Sequence, residues 1–339
     1  MSEYIIALDA MGGDQAPDAI VAGAVAALRR YGDIRVLLAG PRSRLEALLQ
    51  DAEDVMDRVE ILEADDVIGM HESPMLAVRK KVNSSLVQAM LAVREKRAGA
   101  VVSAGNTGAL LAGGMLRIGR IPGIERPALA PVIPGAKKPF LLIDAGANVD
   151  CQPKYLEQFG LMGSVYMKSV MGVQRPAVGL VNIGAEEEKG NKLTKETFQL
   201  MSRQTSYYFA GNAEARDIPT GDFDVVVADG VDGNIILKYT EGIVSAMMSM
   251  LKANLKASKV SKLGAALARP AFRKFKRSMD YNAYGGAPLL GVEGAVIKAH
   301  GASGEQAIMN ALRQAREMLI GDVCGKIREG LGGLSADEQ

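Results

Sequence analysis

The sequence predicts an α/β fold, a three-layer αβα sandwich built on a mostly parallel sheet. Short apolar runs rich in β-branched residues alternate with longer amphipathic stretches, as strands alternate with helices in this class. Several runs are hydrophobic throughout, which is typical of strands buried on both faces. The 38 glycines suit a chain with many tight turns between strand and helix.

Eight apolar runs are predicted strands, and five amphipathic stretches are predicted helices. The strands are residues 4–8, 35–39, 59–63, 99–103, 140–144, 177–182, 206–210 and 224–228. The helices are residues 18–31, 42–50, 75–96, 153–171 and 194–203. Because no low-complexity linker and no repeat divides the chain, we expect residues 1–339 to form one catalytic domain with one or two lobes.

Composition indicates a cytoplasmic, reduced protein. The N-terminus lacks a basic region, and Asp9 interrupts the first apolar run too early for a signal peptide. The longest apolar run, residues 19–28, is about half the length that a membrane-spanning helix needs. Only Cys151 and Cys324 are present, and their spacing does not suit a metal site.

A basic amphipathic helical insertion is predicted at residues 246–280. Nine basic residues and no acidic residue lie between Gly242 and Met279, so the rest of the chain carries −8, since the total is +1 and this segment contributes +9. The nine are Lys252, Lys256, Lys259, Lys262, Arg269, Arg273, Lys274, Lys276 and Arg277. Leucines 251, 255, 263 and 267 recur at helical spacing, and Pro270 should bend or end the helix. The segment suits an acidic protein or an anionic membrane better than a solvated face alone.

Polar loops follow the predicted strands, and five of them pair glycine with asparagine. They are residues 103–108, 144–148, 182–192, 209–214 and 228–234. The carboxyl ends of parallel strands meet at one edge of an open sheet, where ligands bind. Glycines expose backbone N–H groups there, and asparagine adds a neutral donor. Although each loop alone could be a simple turn, five at one edge indicate a site for a phosphate or an oxyanion.

Other chemistries have weak support in the sequence. Walker A, GxGxxG and GxSxG motifs are absent, and His71 and His300 are too few for a histidine-rich metal site. Asp144, Asp229 and Asp232 could bind Mg²⁺, but helix capping and loop orientation are the favoured roles. We therefore expect no metal, no cofactor and no covalent nucleophile. Nucleic-acid binding is not expected, because the positive charge is local and no recognition motif accompanies it.

Seven ordered motifs resemble the phosphate acyltransferase (PlsX) family. They are DAMGGD at residues 9–14, SAGNTGA at 103–109, DAGAN at 144–148, EEKGN at 187–191, GNAE at 211–214, ADGVDGN at 228–234 and YGGAPLLG at 284–291. The resemblance implies a phosphotransacetylase and isopropylmalate-dehydrogenase-like fold, commonly homodimeric. It also implies transfer of a long-chain acyl group from acyl carrier protein to inorganic phosphate. The acyl-phosphate would then feed a membrane glycerol-phosphate acyltransferase.

The motifs and the strand-end positions together predict the site residues. The expected catalytic residues are Lys189, Asn212 and Asn106. The expected phosphate- and substrate-binding residues are Asp9, Gly12, Gly13, Ser103, Gly105, Thr107, Asp144, Asn148, Asn191, Asp229, Asp232 and Asn234. The expected contacts to carrier protein or membrane are Lys252, Lys256, Lys259, Lys262, Arg269, Arg273, Lys274 and Arg277. The alternatives are a phosphotransacetylase-like enzyme that uses acyl-CoA, a dehydrogenase of the related fold and a non-catalytic membrane scaffold.

Overall fold

A computed structural model describes residues 3–279 and 281–334. The strands in this part are β1 (Tyr4–Asp9), β2 (Ile34–Gly40), β3 (Val59–Glu63), β4 (Ala100–Ser103), β5 (Ala128–Leu129), β6 (Val132–Ile133), β7 (Phe140–Ile143), β8 (Ala177–Asn182), β9 (Tyr208–Glu214), β10 (Val225–Val227), β11 (Ala287–Leu290) and β12 (Ala295–Lys298). The α-helices are α1 (Asp18–Arg30), α2 (Arg42–Leu48), α3 (Pro74–Lys80), α4 (Ser85–Arg94), α5 (Thr107–Gly113), α6 (Pro153–Ser169), α7 (Lys192–Ser202), α8 (Gly230–Lys256), α9 (Lys259–Leu267), α10 (Arg269–Ser278), α11 (Glu305–Ile320) and α12 (Val323–Leu334).

The strands form two sheets, which confirms the α/β class with mostly parallel pairing. The seven-stranded sheet has the order β3-β2-β1-β4-β12-β11-β5, and β11 runs antiparallel to both of its neighbours. The five-stranded sheet has the order β6-β7-β10-β8-β9, with β6 antiparallel to β7. The remaining pairs are parallel. The sequence did not indicate this division into two sheets.

The two sheets share one hydrophobic core although each has its own strands. The first sheet uses both ends of the chain, and the second uses its middle. Leu8 of β1, Leu141 of β7 and Leu290 of β11 belong to the same buried cluster, together with Phe159 of α6. The chain crosses from one sheet to the other between β5 and β6, within two residues. This short crossover joins the edge strand of the first sheet to the edge strand of the second.

Most predicted elements are found, but two predictions need correction, and four strands and the helices α11 and α12 were not predicted. The predicted helix at residues 75–96 is two helices, α3 and α4, separated by a turn. The predicted strand at 206–210 lies further along, as β9. The strands β5, β6, β11 and β12 were not predicted, since runs of two to four residues beside turns carry little pattern.

The basic segment continues a helix that begins in the middle of the fold. The predicted start at residue 246 falls inside α8, whose 27 residues begin at Gly230. α8 ends at Lys256. Ser258 then caps α9, because its side chain accepts a hydrogen bond from the Ser261 N–H. Pro270 is the second residue of α10, and α9 ends at Leu267, as the expected break at proline requires. Among the described side chains of α8, only Gly230 and Gly233 are buried.

Candidate functional site

The loops after β1 and β4 are locked together by the buried carboxylate of Asp9. Its Oδ1 accepts a hydrogen bond of 2.6 Å from the Ser85 hydroxyl, and its Oδ2 accepts one of 2.7 Å from the Ser103 hydroxyl. Burial raises the pKa of Asp9, and these hydrogen bonds oppose that rise. A side chain at Gly12 would overlap Asp9 Oδ2 and meet the Gly105 nitrogen at 2.8 Å. Asp9 therefore orients two predicted site loops and does not cap α1, which begins after Pro17.

The end of β12 brings a lysine to the same place. Lys298 is only 8% exposed, and its Nζ donates to the carbonyl oxygens of Ala104 (3.4 Å) and Ala299. Burial lowers the pKa of Lys298 to about 8, while the carboxylates of Asp9 and Asp14 partly offset that effect. Sequence reasoning missed Lys298. An apolar run that ends in lysine and is followed by a glycine at residue 301 was the signal that could have found it.

The loop after β7 is organised around Asp144. This carboxylate accepts hydrogen bonds from the backbone N–H groups of Leu129 (2.9 Å), Ala147 (2.9 Å) and Asn148 (2.7 Å). The Asn148 side-chain amide donates to Asp144 at 3.0 Å and to the Pro127 carbonyl at 2.8 Å. Burial raises the pKa of Asp144 against these bonds. The carboxylate thus orients the loop, which is the role that the sequence favoured for it.

The N-terminus of α8 rests directly on that loop. Asp229 caps the helix by accepting from the N–H groups of Val231 (2.9 Å) and Asp232 (2.8 Å). The Gly230 N–H donates to the Asn148 carbonyl at 2.7 Å, and a side chain at Gly233 would overlap the Asp144 carbonyl oxygen. These two glycines allow the close approach of helix and loop. Burial and the neighbouring Asp229 raise the pKa of Asp232.

A third group of predicted residues lies after β8 and β9. The Asn182 side chain donates to the Lys189 carbonyl at 3.1 Å, and the Asn212 side chain donates to the Glu186 carbonyl at 2.9 Å. Asn191 caps α7 by accepting from the Thr194 N–H at 2.9 Å. The Lys189 side chain is exposed. Within the described residues, Asn212 Oδ1 is buried and has no hydrogen-bond partner.

A cleft of about 530 Å³ lies between the first two groups of loops. Its polar lining includes Thr107, Asn234, Lys298 and His300, beside Gly146. Its apolar lining comes from the crossover and from α8, and includes Leu129, Pro131, Val132, Ile133, Leu237 and Val244. Such a mixture of apolar walls and a few converging polar groups is typical of small-molecule sites.

The predicted residues divide between this cleft, its supports and its surroundings. Thr107 and Asn234 line it. The strand ends, the loops and the first turn of α8 that support the lining contain Asp9, Gly12, Gly13, Ser103, Gly105, Asp144, Asn148, Asp229 and Asp232. Lys189, Asn191, Asn212 and Asn106 are not among the lining residues. Asn106 caps α5 through its bond from the Ala109 N–H, and its amide donates to the carbonyls of Gly69 and Met70 at 3.1 and 3.0 Å.

The predicted contact residues project from the helices beyond α8. Lys252, Lys256, Lys259, Lys262, Arg269, Arg273 and Lys274 are all exposed, and none forms an ion pair within the described residues. The side chain of Arg277 lies outside the described part of the structure.

In residues 3–279 and 281–334, no three His, Cys, Asp or Glu side chains cluster as a metal site would require. Each helix in the same ranges lacks the length or the apolar character that a membrane-spanning segment needs.

Comparisons with known proteins agree with this architecture. The chain is similar to solved phosphotransacetylases from Streptococcus pyogenes (TM-score 0.61, 13% identity, 94% of each chain) and Staphylococcus aureus (TM-score 0.59, 14% identity, 93% and 94% of the two chains). At this identity the likeness concerns the fold alone.

The sequence matches are much closer. A family model described as fatty acid synthesis protein matches residues 4–326. The phosphate acyltransferase of Clostridium perfringens strain SM101 is 50% identical over 334 residues, covering 98% of each chain. That of Clostridium botulinum strain Loch Maree is 48% identical over 330 residues, covering 97% of this chain and 98% of the relative. Since these matches span nearly the whole sequence, the chain belongs to the phosphate acyltransferase family of fatty acid synthesis proteins.

Proposed function

We propose that the protein is a phosphate acyltransferase of phospholipid synthesis, which transfers a long-chain acyl group from acyl carrier protein to inorganic phosphate. One observation carries this proposal: a full-length match to phosphate acyltransferases in a chain whose strand-end cleft has both apolar walls and polar donors. The apolar lining suits an acyl chain. The polar lining suits the phosphate and the reacting carbonyl.

The reaction requires a single displacement. A phosphate oxygen attacks the thioester carbonyl carbon, the new C–O bond forms, and the C–S bond breaks. The carrier thiolate leaves and takes a proton from water. Since phosphate is already anionic at neutral pH, the protein's main tasks are to position the two reactants and to stabilise the charge that develops on the carbonyl oxygen.

The cysteines do not suit a covalent acyl-enzyme route. Burial raises the pKa of the Cys151 thiol to about 12 and that of Cys324 to about 11. Both thiols are therefore protonated at neutral pH, and the thiolate is the nucleophilic form. This supports direct attack by phosphate.

The same proposal gives catalytic roles to Lys189, Asn212 and Asn106, with Asp232 and Asn234 completing the pocket. For Lys189 and Asn212 the support is that their loops meet through the bond from Asn212 to the Glu186 carbonyl. For Asn106, the support is that its side chain caps the first turn of α5, which contains Thr107, a residue that lines the cleft.

The test is a donor comparison with radiolabelled phosphate. Purified protein would be supplied with acyl carrier protein or CoA thioesters of one acyl chain, and acyl-phosphate formation followed. We expect faster incorporation from the carrier protein. A preference for acyl-CoA would instead support the phosphotransacetylase-like alternative. If no donor gives acyl-phosphate, the proposed function is wrong and the non-catalytic scaffold gains support.

We also propose that two copies pair through α8. The outer side of this helix exposes six apolar residues at spacings of three or four, namely Val231, Ile235, Tyr239, Ile243, Met247 and Met250. Tyr239 is 70% exposed and Met250 is 66% exposed. A continuous apolar stripe of this kind on a solvent-exposed surface is typical of a protein–protein interface. A second copy matches it in chemistry, since the stripe would pack on itself about a twofold axis.

For the basic segment we propose contact with an anionic membrane surface, with acidic carrier protein as the second candidate. Val260, Leu263 and Leu267 are 81%, 65% and 78% exposed and lie on one face of α9, beside Lys259 and Lys262. An apolar face bordered by lysines suits the headgroup boundary of a bilayer. This would keep a cytoplasmic enzyme near the membrane glycerol-phosphate acyltransferase that consumes its product. The same charges would also attract an acidic carrier protein.

A further inference from the structure

We propose that Lys298 is the cation that holds phosphate in the cleft, an inference that rests on the proposed function. Lys298 is the last residue of β12 and lines the cleft together with Thr107 and His300. The residue belongs to none of the motifs on which the family resemblance was based.

The side chain is fixed in position before any ligand arrives. Two of the three Nζ donors are directed at the carbonyl oxygens of Ala104 and Ala299. Within the described residues Lys298 forms no ion pair and has one Nζ donor without a partner, so that donor is available to a ligand in the cleft that the residue lines. A lysine in this state binds phosphate as a point charge.

The other basic side chains that could hold phosphate are less suited to this role. Lys238 is 60% exposed and is paired with Glu241 at 2.8 Å, so its charge is already compensated. The Nδ1 of His300 accepts a hydrogen bond from the Ala302 N–H at 3.1 Å, which leaves Nε2 as its only free ring nitrogen. Lys189 is exposed and does not line the cleft.

A buried cation whose desolvation is only partly offset by the neighbouring carboxylates of Asp9 and Asp14 has an energetic cost, and this cost is itself informative. Desolvation lowers the pKa of Lys298, which means that the fold disfavours the charge that it holds there. Methionine of similar length would remove that penalty, although it would leave two carbonyl oxygens without their donor. A lysine with a purely structural role would not be expected to carry this cost. A lysine that binds an anion would be expected to carry it.

The experiment compares Lys298→Met and Lys298→Arg with wild type by steady-state kinetics and thermal unfolding. We expect Lys298→Met to raise the KM for phosphate by about tenfold or more while the KM for the acyl thioester changes less than about twofold. The Tm should stay equal or rise. Lys298→Arg should recover part of the phosphate affinity. Lys168→Met, an exposed lysine late in α6, is the matched control and should leave both constants unchanged.

An unchanged phosphate KM in Lys298→Met would overturn the proposal, whether or not the Tm falls. If the variant does not fold, wild-type protein still provides a test. Trinitrobenzenesulfonate, an anionic amine reagent, should label Lys298 near pH 8, and added inorganic phosphate should protect it, as read by peptide mass spectrometry. Labelling that phosphate leaves unchanged would equally exclude the role. Wild-type turnover in the same assays separates this failure from failure of the proposed function.

Discussion

The hydroxyl of Tyr166 accepts a hydrogen bond of 2.7 Å from Nε2 of Gln314, and this buried contact joins α6 to α11. α6 covers the second sheet and α11 covers the first, so the pair connects the two halves of the core. The Gln314 Oε1 in turn accepts from the Gly286 N–H at 2.7 Å. Gly285 and Gly286 line the cleft, so the network extends from the core to the site.

Removing the Tyr166 hydroxyl should therefore weaken the fold. Tyr166→Phe leaves the buried Gln314 amide without its acceptor, and we expect a loss of about 1–3 kcal/mol in the free energy of unfolding by urea. Tyr208→Phe is the matched control, because Tyr208 is 43% exposed and its ring contact with Arg175 does not need the hydroxyl. Equal stability of Tyr166→Phe and wild type would show that the contact contributes little.

Lys189 should be required for turnover if its catalytic role is correct. Lys189→Ala removes a cation from the loop that Asn212 holds, and we expect kcat/KM for phosphate to fall by about tenfold or more. Lys192→Ala, an 87% exposed lysine at the start of α7, should leave turnover within about twofold of wild type. Full phosphate-dependent turnover in Lys189→Ala would remove this lysine from the mechanism.

Charge on the outer stripe of α8 should separate the two copies. Tyr239→Arg places a cation at the centre of the stripe, where pairing would bury it without a partner. Multi-angle light scattering should show a dimer for wild type and a monomer for the variant. Met56→Arg, a comparable change at a 40% exposed methionine far along the chain from α8, should remain dimeric. A monomeric wild type would contradict the pairing.

The apolar face of α9 should be needed for membrane contact. We expect wild type to float with liposomes that contain anionic lipid, and Leu263→Gln/Leu267→Gln to lose most of that binding. Ala266→Gln, an exposed position of the same helix, is the control for the polar side chain. If wild type does not bind, carrier protein becomes the favoured partner of the basic residues, and the same charges should then govern the salt dependence of the thioester KM.

The pH dependence of the Tm should reveal the lowered pKa of Lys298. Its pKa in the fold is about 8 against 10.5 for the free side chain, so the unfolded chain holds the proton more tightly. The penalty to stability is full below pH 8 and disappears as the pH rises towards 10.5. The Tm of wild type should therefore rise relative to that of Lys298→Met from pH 7 to pH 10. Asp9, Asp14 and His300, which surround Lys298, are unchanged in both proteins, so comparing them isolates the lysine. A constant difference would contradict the shifted pKa.

The sequence was sufficient for the fold class and for most strand-end loops. β3 and β8 have the predicted bounds, because short runs rich in valine, isoleucine and leucine between turns are a strong signal. The favoured roles of Asp144 and Asp229, loop orientation and helix capping, are the ones found. Both depend on neighbours within a few residues, which a sequence displays directly.

What the sequence missed depends on distant partners. The carbonyl of Ala104, which holds Lys298, is 194 residues away along the chain. The Asn106 amide is occupied by the carbonyls of Gly69 and Met70, although the glycine-asparagine pattern marked it as a free donor. The division into two sheets follows from the two-residue strands β5 and β6, whose pairing is determined by the surrounding core. No local pattern records such contacts.

The length of α8 has a mechanical consequence. At about 1.5 Å per residue, its 27 residues form a rod of about 40 Å. Its first turn is clamped against residues 144–148 by Gly230 and Gly233, and one side forms the cleft wall as far as Ser245. A surface that bound α9 would pull on the far end of a rod whose near end forms the cleft wall. The position of attachment and the width of the cleft would then be mechanically linked.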